Sequence, residues 1–318
     1  MRETDYAYAV SRIRAQELKL LTRQDLEQLL ACQTAEECTR LLADKGWDGD
    51  REDMLAAELE KAWALIRELA PDPAAFDVFL IKNDYQNLKA AIKAVVTDTG
   101  AERLMVSAGR VETGLMLHAA QTGEFERLPE AMREPAATAR ELLLHTGDGQ
   151  LADVVLDRAA LEEILRAGRQ SGNEFFAAYA ELTVATTDIK IAVRAQRAGK
   201  PADFYERALA PCASVDVKAL AAAALEGREA LWELIGRTPY AGCVEALTQS
   251  LAAFEKWCDD QVMERILSAK TKPFGPEPLA GYLLARETEI RAVRILLSAK
   301  HNGLPAETVR ERLREMYV

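Results

Sequence analysis

Residues 273–294 read Pro-Phe-Gly-Pro-Glu-Pro-Leu-Ala-Gly-Tyr-Leu-Leu-Ala-Arg-Glu-Thr-Glu-Ile-Arg-Ala-Val-Arg. Three prolines and a glycine within the first six positions make a rigid turn. Proline fixes φ and suits the first turn of a helix, so Pro276 or Pro278 predicts a helix start, and Gly275 admits a backbone conformation that side chains resist. Beyond the turn, Leu279, Leu283, Ile290, Val293 and Leu297 recur at helical spacing and predict a long amphipathic helix with one apolar stripe. Asn302-Gly303 predicts its end and Pro305 the start of a second helix, so this region closes on a helical hairpin.

The rest of the chain repeats that pattern. Hydrophobic residues make up 49% of the 318 positions but aromatics only 6%, and the apolar stretches are rich in Ala and Leu. Such a balance favours helices over sheets, and strand-like alternation is nearly absent. Thr34 with Glu37 forms a candidate capping box, while Asp72-Pro73 and Thr238-Pro239 place a cap residue before a proline; all three predict helix starts. The fold class expected is all-α.

Three predicted helices carry related triplets: Asn87-Leu88-Lys89, Asp188-Ile189-Lys190 and Glu289-Ile290-Arg291, each 101 residues from the next. A second basic residue follows at Lys93, Arg194 and, shifted by one position, Arg294. Glu36 to Trp47 echoes Glu229 to Tyr240, and Arg14-Ala15-Gln16 echoes Arg194-Ala195-Gln196. Units of this length exceed solenoid repeats, so the expectation is three similar helical lobes, 1–110, 111–206 and 207–318, in a quasi-threefold arrangement. Polar, helix-poor stretches at 121–135 and 198–201 would join them. Lys89, Lys190 and Arg291 would then occupy equivalent places and could face a partner on the axis; the competing reading makes them ion pairs with nearby carboxylates.

Chemistry is hard to find in the sequence. A net charge of −11 and a pI near 5.0 disfavour nucleic acid and anionic membrane surfaces as general partners. Apolar runs such as Leu220 to Leu225 fall far short of the roughly 20 residues of a membrane span. Met1-Arg2-Glu3-Thr4-Asp5 has no apolar leader core, which predicts a cytoplasmic protein. Five cysteines lack any CxxC pair and read as reduced thiols; His118, His145 and His301 are scattered, so no metal or other cofactor is expected. Thr146-Gly147-Asp148-Gly149 lacks the spacing of a phosphate or calcium loop and reads as a turn. No GxSxG elbow or Walker A loop occurs, and the carboxylate pairs Glu36-Glu37, Glu162-Glu163 and Asp259-Asp260 read as solvated helix faces.

The 273–284 stretch, taken with Phe254-Glu255-Lys256-Trp257-Cys258, Asn302-Gly303-Leu304-Pro305 and Arg310-Glu311-Arg312-Leu313-Arg314-Glu315, resembles the C-terminal region of the C subunit of V-type ATP synthases. Tyr6-Ala7-Tyr8-Ala9-Val10-Ser11-Arg12-Ile13-Arg14-Ala15 and Asp84-Tyr85-Gln86-Asn87-Leu88-Lys89 resemble the same family, a relative of the V-ATPase d subunit. The resemblance implies a non-catalytic, funnel-shaped protein of three helical lobes, attached peripherally at the cytoplasmic end of the proteolipid ring. Its implied partners are the D and F subunits of the central shaft and that ring, and its implied task is transmitting torque for proton or sodium transport. An unrelated helical scaffold or adaptor would share every bulk property, and a helical enzyme with a hidden carboxylate site would require a buried polar cluster and a pocket.

Overall fold

A computed structural model describes residues 3–49, 51–97, 104–106 and 108–318; Met1 and Arg2, which open the stretch read for a leader, lie outside the described residues. Among the described residues there is no strand. The described residues form sixteen α-helices in order: α1 (Ala7–Glu17), α2 (Arg23–Ala31), α3 (Ala35–Asp44), α4 (Arg51–Leu69), α5 (Ile81–Thr97), α6 (Thr113–Thr122), α7 (Glu130–Thr146), α8 (Gly149–Gln170), α9 (Glu174–Arg197), α10 (Ala202–Ala208), α11 (Val217–Glu226), α12 (Arg228–Ile235), α13 (Cys243–Gln249), α14 (Leu251–Ala269), α15 (Glu277–His301) and α16 (Ala306–Arg310). The chain divides into two compact units: Met1–Pro73 with Glu245–Val318, and Ala74–Val244.

The first unit joins both ends of the chain around α15, which packs against α1, α2, α3, α4, α14 and α16. Pro276 precedes its first residue and Pro278 occupies its first turn, as the proline spacing predicts. Gly275 sits at φ 91°, and a Cβ there would collide with the Glu277 carboxylate. Gly303, at φ 63°, follows its C-terminus and leads to α16. The predicted single apolar stripe is too narrow, however. From Glu277 to Arg286 every residue is buried, and Thr288, Glu289 and Ile290 follow, because neighbours surround the first half of this helix. Around its second half, Leu26, Leu29, Leu30, Leu42, Trp47 and Met54 pack with Val293 and Leu296 into a hydrophobic cluster.

Local capping sets these helices. Thr22 caps α2 in a full capping box with Asp25, and Thr34 Oγ1 accepts the Glu37 amide 3.2 Å away. The Glu37 carboxylate takes the Gln33 amide at 2.7 Å, one residue earlier than a capping box with Thr34 requires. Arg14 of α1 donates to the Ala269, Lys270 and Lys272 carbonyls at 3.0–3.1 Å, which satisfies the exposed end of α14.

In the second unit, α5 packs against α6, α7 and α8, and α9 packs against α8, α10, α11 and α12. Phe76, Phe79, Phe176 and Tyr179 gather scarce aromatics into one cluster, with edge-on contacts at centroid distances of 5.4, 5.7 and 4.8 Å. Gly168 lets α8 and α9 approach closely, since a Cβ there would stand 2.5 Å from the Ala180 Cβ. Thr146-Gly147-Asp148-Gly149 is the turn expected: Gly147 ends α7 at φ 68°, and Asp148 caps α8 through the Gln150 and Leu151 amides.

Three further sequence expectations need correction. Thr238-Pro239 starts no helix; the Thr238 hydroxyl donates to the Ile235 carbonyl and accepts the Tyr240 amide, which closes a turn after α12. Asp72-Pro73 leads into a 3-10 turn, Pro73–Phe79, instead of an α-helix. The stretch 121–135 is not helix-poor throughout, because α7 begins at Glu130 and contains Pro135. Proline lacks the amide that would bond the Ala131 carbonyl, and the Tyr85 hydroxyl lies 3.2 Å from that oxygen.

Candidate functional site

The residues singled out by the repeat occupy comparable settings. Asn87, Asp188 and Glu289 are all buried, on α5, α9 and α15. Each accepts a backbone amide from a segment that leads into a short helix. Asn87 Oδ1 accepts from Val106 at 2.8 Å and its amide nitrogen donates to the Val106 carbonyl at 2.9 Å. Asp188 Oδ1 accepts from Ala210 at 3.0 Å. Glu289 Oε1 accepts from Leu21, immediately before the Thr22 cap. Leu88, Ile189 and Ile290, the middle residues of the triplets, are buried beside them.

Neighbouring carboxylates strengthen the clips. Asp84, one turn before Asn87, accepts the Arg110 amide at 2.8 Å through Oδ1 and the Arg110 guanidinium at 2.6 Å through Oδ2. Glu181, two turns before Asp188, accepts the Ala213 and Ser214 amides and the Ser214 hydroxyl, all at 2.7 Å. Beside Glu289, Arg286 Nη1 lies 2.7 Å from Glu289 Oε2 and 3.5 Å from Glu58 Oε2, with the guanidinium against Trp47 and Tyr282. In the second unit Glu163 lies 2.9 Å from both Arg110 Nη2 and the Tyr85 hydroxyl.

Burial sets the electrostatics. It pushes the Asp188 carboxyl up to about 7 against the pull of the Ala210 amide and Arg158, with Glu181 pushing further upward. Asp188 Oδ2 makes no hydrogen bond. Burial likewise pushes Glu289 up to about 8 against Arg286 and the Leu21 amide. Tyr85 is raised by burial and by the adjacent Glu163.

Two basic members of the triplets meet carboxylates. Lys89 Nζ lies 2.6 Å from Asp157, and Arg291 Nη1 lies 2.5 Å from Asp259, which also holds Arg314 at 2.8 Å. Lys190 is half-buried on α9. The carboxylates read as solvated faces therefore divide. Asp259 and Asp260 bind cations, Glu163 is buried in a network, and Glu36 is exposed. Sequence reasoning passed over Glu58, Asp84, Arg110 and Arg286; the available signal was a charge one helical turn before Asn87 and before Glu289.

Two open clefts accompany these clusters: one of about 400 Å³ along α14, α15 and α16, and one of about 550 Å³ along α8, α9 and α10. The Arg110 and Arg286 clusters line neither. Among the described residues no His, Cys, Asp and Glu group is arranged to hold a metal, and no helix is long and apolar enough to cross a membrane.

Fold and buried clusters define an all-α protein whose interior charges hold chain segments against three long helices. The family model described as ATP synthase (C/AC39) subunit matches residues 9–312. The chain belongs to that family and is a subunit of a rotary ATPase, structural and not catalytic. It is 25% identical to the C subunit of the V-type sodium ATPase of Enterococcus hirae, over 96% of this chain and 97% of the relative. It is also 25% identical to the C subunit of the A-type ATP synthase of Methanocaldococcus jannaschii, over 97% and 86%. The C subunit of the V-type ATP synthase of Thermus thermophilus is 22% identical, over 97% and 98%.

Proposed function

We propose that this chain couples the central shaft of a V/A-type rotary ATPase, its D and F subunits, to the membrane proteolipid ring, and so supports ATP-linked proton or sodium transport. The observation that carries this reading is the family match across residues 9–312, which leaves almost none of the chain outside it. Transmitting torque calls for rigid elements, and the buried clips on α5, α9 and α15 supply a physical basis for rigidity because each fixes a connecting segment to a long helix. Kinship to the V-ATPase d subunit and a cytoplasmic, membrane-peripheral location belong to the same proposal. Family membership sets aside the unrelated scaffold.

Three lobes at 1–110, 111–206 and 207–318 remain the proposed repeat organisation, supported by the equivalent burial of Asn87, Asp188 and Glu289. Lys89, Lys190 and Arg291 are the proposed partner-facing charges. The test is affinity purification of the tagged chain from its own membranes, with identification of the bound proteins. Recovery of the shaft and ring proteins is expected; recovery of the folded chain without any other ATPase component would overturn the proposal. Reversing the three charges together should weaken that recovery while leaving the helical circular dichroism intact, and unchanged recovery removes them from the interface.

A further inference from the structure

Cys32 and Cys38 stand apart from the other free thiols. Cys32 follows the last residue of α2 and is half-buried; Cys38 lies in the first turns of α3 and is fully buried. The short α2–α3 turn brings both sulfurs to the same end of α2. Cys32 Sγ donates to the Gln28 carbonyl at 3.5 Å, and Cys38 Sγ donates to the next carbonyl, Leu29, at 3.3 Å. Cys32 is close enough to push the Cys38 thiol upward. The same end of α2 is tied to α15 by Lys300, whose ammonium donates to the Leu30 carbonyl at 2.6 Å. By contrast, Cys212 lies before α11, Cys243 opens α13 and Cys258 is within α14.

We propose that Cys32 and Cys38 form a reversible dithiol–disulfide couple across the α2–α3 turn, oxidised by small disulfides of the glutathione class. In the first step the Cys32 thiolate attacks one sulfur of the small disulfide. The sulfur–sulfur bond breaks, one small thiolate leaves, and a mixed disulfide forms on Cys32. In the second step the Cys38 thiol loses its proton to water and its sulfur attacks Cys32 Sγ, which expels the second small thiolate. Two cysteine thiols are thus oxidised by two electrons and one small disulfide is reduced to two thiols. A dithiol reductant reverses both steps.

Order and rate follow from placement. Half-buried Cys32 is the sulfur that solvent reaches, so it reacts first. Burial, the largest cause, pushes the Cys38 thiol up and persists in the mixed disulfide, so ring closure is the slow step. Its rate should rise about tenfold for each pH unit across the neutral and mildly alkaline range, in proportion to the thiolate fraction.

The test uses the full-length folded protein treated with oxidised glutathione, then unfolded, alkylated with N-ethylmaleimide, digested and weighed. The segment containing Cys32 and Cys38 should lose two hydrogens and take no alkyl tag, while Cys212, Cys243 and Cys258 take the tag. Dithiothreitol should restore both thiols. Cys38→Ser should stop at a glutathione adduct on Cys32, and Cys32→Ser should leave Cys38 reduced. A wild-type protein that stops at the mixed disulfide, that pairs either cysteine with one of the other three, or that reacts only after unfolding would overturn the proposal. If a serine variant fails to fold, the wild-type masses decide the question alone.

Discussion

Replacing Asp188 with Asn isolates the cost of a buried carboxylate with one empty oxygen. Asp188 is fully buried, accepts only the Ala210 amide, and leaves Oδ2 without a hydrogen bond. Its carboxyl rises from an ordinary 3.8 to about 7, which corresponds to roughly 4 kcal/mol of penalty on the charged form. Between those values the folded state holds a proton that the unfolded chain has released. Stability from this group is therefore greatest below pH 4, declines as pH rises towards 7, and is flat above. Asparagine keeps the acceptor for Ala210 and never ionises, but its amide nitrogen inherits the unpaired position at about 1–3 kcal/mol. At about pH 8 the variant should be more stable by roughly 1–3 kcal/mol, and at about pH 4 the advantage should vanish or reverse. Urea unfolding followed by circular dichroism across that range reads the difference, and titrating groups away from Asp188, Glu289 included, cancel between the two proteins. A constant offset at every pH, or a less stable variant at about pH 8, would mean that Asp188 is comfortably ionised and that the reasoning is wrong.

Two further perturbations probe the interior. Arg286→Met removes the cation that lies between Glu289 and Glu58 and should cost about 3–5 kcal/mol by chemical denaturation, with much of it recovered in the Arg286→Met/Glu289→Gln double variant; a loss below about 1 kcal/mol contradicts a buried charge cluster. Gly168→Val drives a side chain into Ala180 and the Phe176 carbonyl and should lower stability by about 1–3 kcal/mol through spreading α8 from α9, a loss that a neutral thermal melt would exclude.

Much of the fold was legible from short-range signals. The Pro-Gly turn before α15, the Asn302-Gly303 stop and the turn at Thr146-Gly147-Asp148-Gly149 act within one helical turn, so their meaning does not depend on the rest of the molecule. Thr238-Pro239 misled because the same residues suit a helix start and a tight turn. There the hydroxyl found the Ile235 carbonyl and the Tyr240 amide instead of the amides of a new helix. The candidate site was legible as a spacing but not as a role. Asn87, Asp188 and Glu289 were visible as repeated positions, whereas the basic residues beside them drew the functional expectation. In the structure Lys89 and Arg291 meet Asp157 and Asp259, and the acidic or amide members are the fully buried ones.

By itself the sequence determined an all-α protein, the start of α3, both ends of α15, the start of α16, its repeated triplets and its family resemblance. Each of these rests on residue choice within a turn or on the order of motifs along the chain. Only the tertiary structure decided that both chain ends build one unit around α15, and that Glu289 bonds the Leu21 amide 268 residues away. It also decided that α15 is buried on nearly all sides through its first half. A hydrogen bond across that separation has no local signature: glutamate and a backbone amide are compatible with countless partners. Folding selects one by removing both from water, where an unpaired charge or donor is costly.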